Sequence, residues 1–398
     1  MPCNPEPPRR LARPNLRERQ LFRRSHLSWA CADLAWDADE RVSAEADTQV
    51  PREDDLNRPE YLPGEQVAEM RIQASAPGKV ILLGEHAVVY GRPAIAVPLS
   101  GLRATVTVEP GRPGSGVVIE ARDLGRTLHA GQELADPLVV TVNNTLARLG
   151  VPDPGDLHLT IASDIPIASG LGSGAAVAVA TIRALDAWFT ELPNAGVEAL
   201  AGSRLEDRLR KQLTDAEVSA LAYETEVLHH GTPSGIDNSV VTYERPIVFT
   251  RARGAAPFLL GRPLTLVVGD TGIASLTRET VGDVRRAWQA DPARYEALFD
   301  AVAETVAAGR AAIERGDAPA LGAALRRDHA LLQELGVSCP ELDALVAAAE
   351  EAGALGAKLA GGGRGGNMIA LVTRETADRV AAALRAAGAR RALVSEIA

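Results

Sequence analysis

Aromatic side chains are scarce in this sequence. Its 398 residues hold four tryptophans, five tyrosines and five phenylalanines, within a composition that is 46% hydrophobic. The core must therefore be built from alanine, valine, leucine and isoleucine. Cysteine is scarcer still: Cys3, Cys31 and Cys339 fit neither a disulfide framework nor a zinc site, which points to a reducing cytoplasm. A basic surplus is missing as well. The net charge of −10 argues against a nucleic-acid partner, because nothing in bulk draws a phosphate backbone; small anionic substrates need only a local positive site. No apolar run approaches the length that spans a bilayer, so no membrane partner is expected. The opening residues, MPCNPEPPRRLARPN, lack the apolar core of a signal peptide.

What is present divides unevenly. Residues 1–25 carry seven arginines and two acids, and residues 26–69 three arginines and twelve acids, broken by prolines. We expect residues 1–69 to be a disordered extension or a mis-assigned start, with Met70 the translation start. Patterned sequence begins directly after it. Strand material is expected at 71–75 and 79–83, interrupted by APG, then at 92–99 and 103–110. A helix over 137–149 has Asp136 as cap, Pro137 in its first turn and Gly150 beyond its end. NSVVTYERPIVFT reads as two short strands, and RARGAAPFLLGRP as a loop. Helices dominate 276–335, and the last block alternates helix, strand, glycine loop, strand, helix and strand. The pattern is α+β, and the length favours two domains, placed at 70–260 and 261–398.

Four polar-glycine clusters interrupt this aliphatic background. In APGKVILLGEHAVVYG, Lys79 enters a strand whose far end carries Glu85 and His86; an edge charge and a surface turn are the plainer readings. In PIASGLGSGAA, residues 166–176, a glycine turn runs into a buried helix. That arrangement is either an anion cradle, with exposed amides and the positive end of the helix dipole, or a turn that only lets the helix pack closely. It is neither a P-loop nor a dinucleotide fingerprint, since the lysine and the spacing are missing. In ETEVLHHGTPSGIDNSV, a turn at Pro233–Gly235 could bring Glu226 and Asp237 to one site, one carboxylate for a divalent metal and one for a hydroxyl. An Asx turn or helix cap is the alternative for Asp237. His229 and His230 lack a third zinc ligand nearby. In KLAGGGRGGNMIA, five glycines suit a loop pressed against a ligand or against the other glycine turn.

Taken together, these stretches resemble the GHMP kinase superfamily, and within it the mevalonate kinases, over about residues 71–398. APGKVILLGEHAVVYG, PIASGLGSGAAVAVA and GAKLAGGGRGGNMIALV match the three superfamily motifs in order, and HHGTPSGIDN is characteristic of the mevalonate kinases. The resemblance implies an N-terminal domain like domain 2 of ribosomal protein S5 and a ferredoxin-like C-terminal domain, with the active site between them. It implies ATP-dependent phosphorylation of the 5-hydroxyl of mevalonate, with Mg2+ as cofactor, and allows a homodimer. Carried over by motif, Lys79 and Asp237 are catalytic. Glu85, His86 and Thr277 join them around mevalonate, with His86 as a hydrogen-bond donor. Pro166, Ile167, Ala168, Ser169, Gly170, Leu171, Gly172, Ser173, Gly174, Ala175 and Ala176 bind the ATP phosphates, and Glu226 and Ser173 hold the metal.

Two departures from the superfamily pattern matter. The second motif usually reads GLGSSAA with its second serine on magnesium, and that position is Gly174 here, leaving Ser173 or water to fill it. The third usually reads TGAGGGGC, whereas Ala360, Gly362, Arg364 and Asn367 differ; Arg364 is expected at a solvent-facing rim. The rival readings are another GHMP small-molecule kinase, such as phosphomevalonate kinase, or a catalytically silent ligand sensor of the same fold.

Overall fold

The computed structural model describes residues 70–167, 169–191, 212–230, 233–275 and 277–397, without the side chains of His229 and His230. Expectations for residues 1–69 and for Ala168 lie outside these residues. The described residues fall within one compact unit.

Two sheets organise that unit. The first begins with β1 (Ile72–Leu83) and β2 (Ala94–Pro110), paired antiparallel along almost their whole length. Each is one strand where the sequence suggested two. The interruptions at APG and SGL are one feature: the pairing steps from Pro77↔Arg103 to Gly78↔Leu99, so Ser100–Leu102 bulge out and both strands continue. This bulge lets β2 serve different neighbours at its two ends. Its later half pairs with β5 (Leu157–Ser163), and its start pairs with β6 (Ile247–Thr250). β3 (Val117–Ala121) runs parallel to β5 and carries β4 (Arg126–His129), while β7 (Gly254–Pro257) closes the other edge beside β6. β7 lies in the stretch expected to be a loop.

Helices cover one face of this sheet. α1 (Pro137–Leu149) has the expected ends: Asp136 accepts from Leu138 N at 2.9 Å, and Gly150 closes it at φ 72°. α2 (Ser173–Glu191) packs on β1 and β2, and its alanines at 175, 176, 178 and 180 are buried, which lets the helix lie close to the strands. α3 (Asp215–His230) packs beside it, followed by α4 (Ile236–Tyr243). α4 corrects the strand expected over NSVVTY. β-branched residues favour extended chain only weakly, and here Val240, Val241 and Thr242 are buried on a short helix.

The second sheet is antiparallel, in the order β11 (Arg391–Ile397), β8 (Leu264–Asp270), β10 (Asn367–Val372), β9 (Gly356–Ala360). Numbered along the chain, that is order 4-1-3-2, the ferredoxin-like arrangement. Four helices stand between its first and second strands: α5 (Thr277–Ala290), α6 (Pro292–Arg315), α7 (Ala318–Glu334) and α8 (Pro340–Glu351). α9 (Arg374–Ala386) links the last two strands. The sheets meet where β2 bulges, and Gly101 N donates to Ser395 Oγ of β11 at 3.3 Å. One continuous aliphatic core runs through both layers. Among the described residues, no helix is long and apolar enough to cross a membrane.

Candidate active site

β1 carries Lys79 against the glycine turn. Lys79 N donates to Leu171 O at 2.8 Å, so the strand and the turn share a backbone bond. Gly170 and Gly172 take φ of 78° and 75°, the left-handed region open to glycine. Gly172 is further constrained by space: a Cβ there would sit 2.6 Å from Lys79 Cγ. The lysine stem therefore lies directly over the turn. The helix begins at Ser173, so its first amides and the positive end of its dipole open at the same place. Beside the turn, Ile161, Ile165, Ile167, Ser173, Gly174 and Thr225 line part of a largely apolar cavity of about 210 Å³.

The ammonium of Lys79 is buried and meets Asp237 Oδ2 at 3.0 Å. Asp237 sits in the first turn of α4, where Gly235 at φ 90° is the N-cap and no side chain caps the helix. The alternative of a capping aspartate is thereby excluded, because its carboxylate is turned to the lysine. Asn238 anchors the same turn, donating to Ser219 Oγ at 2.9 Å and Ser219 O at 3.1 Å on α3.

Glu226, on α3, is 3% exposed. Its carboxyl is pushed up to about 7, first by burial and then by the charge of Asp237, with Lys79 opposing. Glu226, Asp237 and Ser234 line a cavity of about 180 Å³. A buried carboxyl beside a second carboxylate suits a divalent cation, which would offset the negative charge gathered there. Among the described residues no group of three His, Cys, Asp or Glu side chains could hold a metal.

The second sheet supplies the opposite wall. Asn367, buried at the start of β10, donates through Nδ2 to Ser169 O and so fastens the phosphate-type turn to the ferredoxin-like sheet. His86 adopts φ 60° and is 5% exposed. Burial lowers its pKa, outweighing the Gly362 hydrogen bond and Glu85, so the imidazole is neutral. Its Nε2 lies 3.1 Å from Gly362 O. A carbonyl only accepts, so the one ring proton is committed there, and Nδ1 is left as an acceptor where a donor was expected.

Glu85 is buried and bound to Lys358 of β9. Thr277 opens α5, exposed, against Gly362, where a Cβ would overlap its hydroxyl. Arg364, at φ 54°, binds Asp283 and Gly336 O at the rim. Lys79, Asp237, Glu226 and the glycine turn therefore form one cluster; Glu85 belongs to a second, deeper one. Sequence reasoning missed Lys358 and Asp328. A lysine inside the apolar strand GAKLA was the available signal for the first.

An ammonium and a carboxylate in contact, beside a turn that presents amides to an anion, can hold a phosphate and take a proton from a hydroxyl. Comparison with known proteins agrees. The GHMP kinases N terminal domain matches residues 137–245, and the GHMP kinases C terminal domain matches residues 310–390. Mevalonate kinase of Thermococcus gammatolerans is 36% identical over 340 residues, covering 80% of this chain and 94% of that protein. The chain belongs to the GHMP kinases, among the mevalonate kinases. Mevalonate kinase of Pyrococcus furiosus is 35% identical over 341 residues, at the same coverage of 80% and 94%. The crystal structure of L. major mevalonate kinase in complex with R-mevalonate superposes with a TM-score of 0.66 and 32% identity, over 82% of this chain and 95% of that one. That structure thus shares the two-sheet frame described above.

Proposed function

We propose that this chain transfers the γ-phosphoryl group of ATP to the 5-hydroxyl of mevalonate at the Lys79–Asp237 pair. The single observation that carries this reading is the 3.0 Å contact between those side chains, directly over the glycine turn at the start of α2. Phosphoryl transfer asks a protein for position and charge neutralisation more than for covalent chemistry. The turn from Pro166 to Ala176 receives the phosphates through backbone amides. The neighbouring apolar cavity is of the kind that accepts a base.

Asp237 accepts the proton of the substrate hydroxyl. Lys79, 3.0 Å from that carboxylate, faces the phosphoryl oxygens as the hydroxyl becomes an alkoxide. Glu226 and Ser173 are the residues that would hold Mg2+; the buried, proton-affine carboxylate of Glu226 fits that duty, with the nucleotide phosphates completing the ligand set. Bound there, the ion supplies charge neutralisation on the transferred group. Ser173 stands at the helix start next to Gly174, and takes the hydroxyl role that Gly174 cannot. His86 accepts a hydrogen bond from a substrate hydroxyl through Nδ1, and Thr277 borders the same space.

The same reading divides the described chain into domains at 70–260 and 261–398 and assigns the protein to the cytoplasm. It is also compatible with a homodimer, which sedimentation would test. An ADP-release assay on purified protein, with mevalonate, phosphomevalonate, galactose and homoserine side by side, tests the activity. Turnover is expected with mevalonate; its absence, or a preference for phosphomevalonate, overturns the reading.

A further inference from the structure

A second ammonium–carboxylate cluster lies under the substrate side of the site, and the phosphoryl-transfer chemistry does not use it. Lys358, in the middle of β9, is 0% exposed, and its partners Glu85 and Asp328 are 1% and 0% exposed. Its ammonium donates to Glu85 and to Leu359 O at 2.6 Å, and lies 3.4 Å from Asp328 Oδ2 as an ion pair. The cluster joins three distant parts of the chain: the turn after β1, helix α7 and strand β9. Apolar side chains of the same volume would hold those elements together as well or better, because burying charge carries a large desolvation cost.

The reason for its presence lies one residue along. His86 follows Glu85 and holds a left-handed backbone, φ 60°. A non-glycine residue stays in that region only where its surroundings over-determine it. Two fasteners do so. Glu85 is tied to Lys358, and His86 Nε2 is tied to Gly362 O, two residues past the end of β9. Both fasteners pull the turn onto the same strand and the loop that follows it.

We infer that Lys358 and Asp328 are positioning residues for the substrate: through Glu85 they hold the His86 turn, and thereby the hydroxyl-accepting Nδ1, in register with the loop at Gly361–Gly366. Within the cluster the close salt bridge is the one between Lys358 and Glu85, and Asp328 carries a proton. Burial and the negative charge of Glu85 push the Asp328 carboxyl up to about 8 against the pull of Lys358. Glu85 Oε2 and both Asp328 oxygens are buried without a hydrogen-bond partner, and a proton on Asp328 donated to Glu85 would satisfy both groups. His329, the neighbour of Asp328 on α7, turns the other way, with Nε2 3.2 Å from Asp343 of α8 and Nδ1 accepting from Leu359 N.

This inference rests on the proposed mevalonate reading, and its test separates the two. Wild-type protein must turn over mevalonate; if it does not, the activity itself is misassigned. Given that turnover, the variant Lys358→Met/Glu85→Gln removes the ion pair without leaving a lone buried charge. It should raise the mevalonate KM about tenfold, as expected for a displaced hydrogen-bonding group, with the ATP KM within about twofold of wild type. Unchanged KM values, or equal rises in both, overturn the proposal in favour of a purely structural cluster. Should that variant fail to fold, Asp328→Val decides: it removes the donor to Glu85 and should raise the mevalonate KM about threefold. Asp328→Asn, whose amide donates where the acid did, should rescue it. No change in Asp328→Val, or no rescue by Asp328→Asn, overturns the proposal.

Discussion

Lys79–Asp237 and Lys358–Glu85 are built from the same groups and do different work. The first pair is partly open, with the Asp237 side chain 27% exposed, and it faces a cavity. The second is dry, with no group more than 1% exposed and three partners on one ammonium. Exposure decides the difference. A carboxylate that water and substrate reach can exchange a proton with a hydroxyl. A carboxylate sealed behind β9 and α7 cannot meet a substrate, and what it transmits is geometry. An ammonium–carboxylate contact alone therefore says little about role until its solvent access is known.

The sharpest way to break this comparison is Asp237→Ala. Turnover should fall by about two to four orders of magnitude, the range expected on removing a general base, while ATP binding persists. ADP release and a nucleotide-binding titration read the two quantities, and near-normal turnover would remove Asp237 from the chemistry. Single substitutions of the two lysines should then split in opposite ways. Lys358→Met strands buried carboxylates and should cost about 3–5 kcal/mol of stability, read by urea unfolding. Lys79→Met should abolish turnover at a smaller stability cost, and equal losses would erase the distinction drawn here.

Gly172→Ala probes the floor beneath the open pair. It demands φ 75° of alanine and places a Cβ 2.6 Å from Lys79 Cγ. It should cost about 1–2 kcal/mol and lower turnover about tenfold. An alanine variant with wild-type kinetics would show that the stem of Lys79 moves freely. A last probe, on stability alone, is the pH dependence of the dry cluster. Asp328 titrates at about 8 in the folded chain against an ordinary 3.8. A carboxyl raised in this way contributes stability that is complete below the unfolded value and is lost as pH rises through the folded one. Wild-type Tm should therefore decline between about pH 4 and pH 8 more steeply than that of Asp328→Asn. Parallel curves would place the proton elsewhere.

Much of the open site was legible in the chain because its signals are local. Glycine at 170 and 172 answers a backbone requirement within the turn itself, and Asp136, Pro137 and Gly150 end their helix by bonds to near neighbours. Where the reading failed, distant packing had overruled local preference. NSVVTY has the residues of a strand, but anchoring by Asn238 to α3 and burial of Val240 and Val241 make it the helix that aims Asp237. The breaks at APG and SGL looked like the ends of strands, and only their pairing reveals a single bulge.

By itself, then, the sequence determined the turns, the helix ends, the α+β alternation and the motifs that mark a GHMP kinase, since each depends on residues a few positions apart. Only the tertiary structure decided which charges are wet and which are dry. Glu85 and Lys358 stand 273 positions apart, and no local pattern encodes that contact. Desolvation is a property of everything packed around a group, so the role of a buried charge appears only when the chain has closed over it.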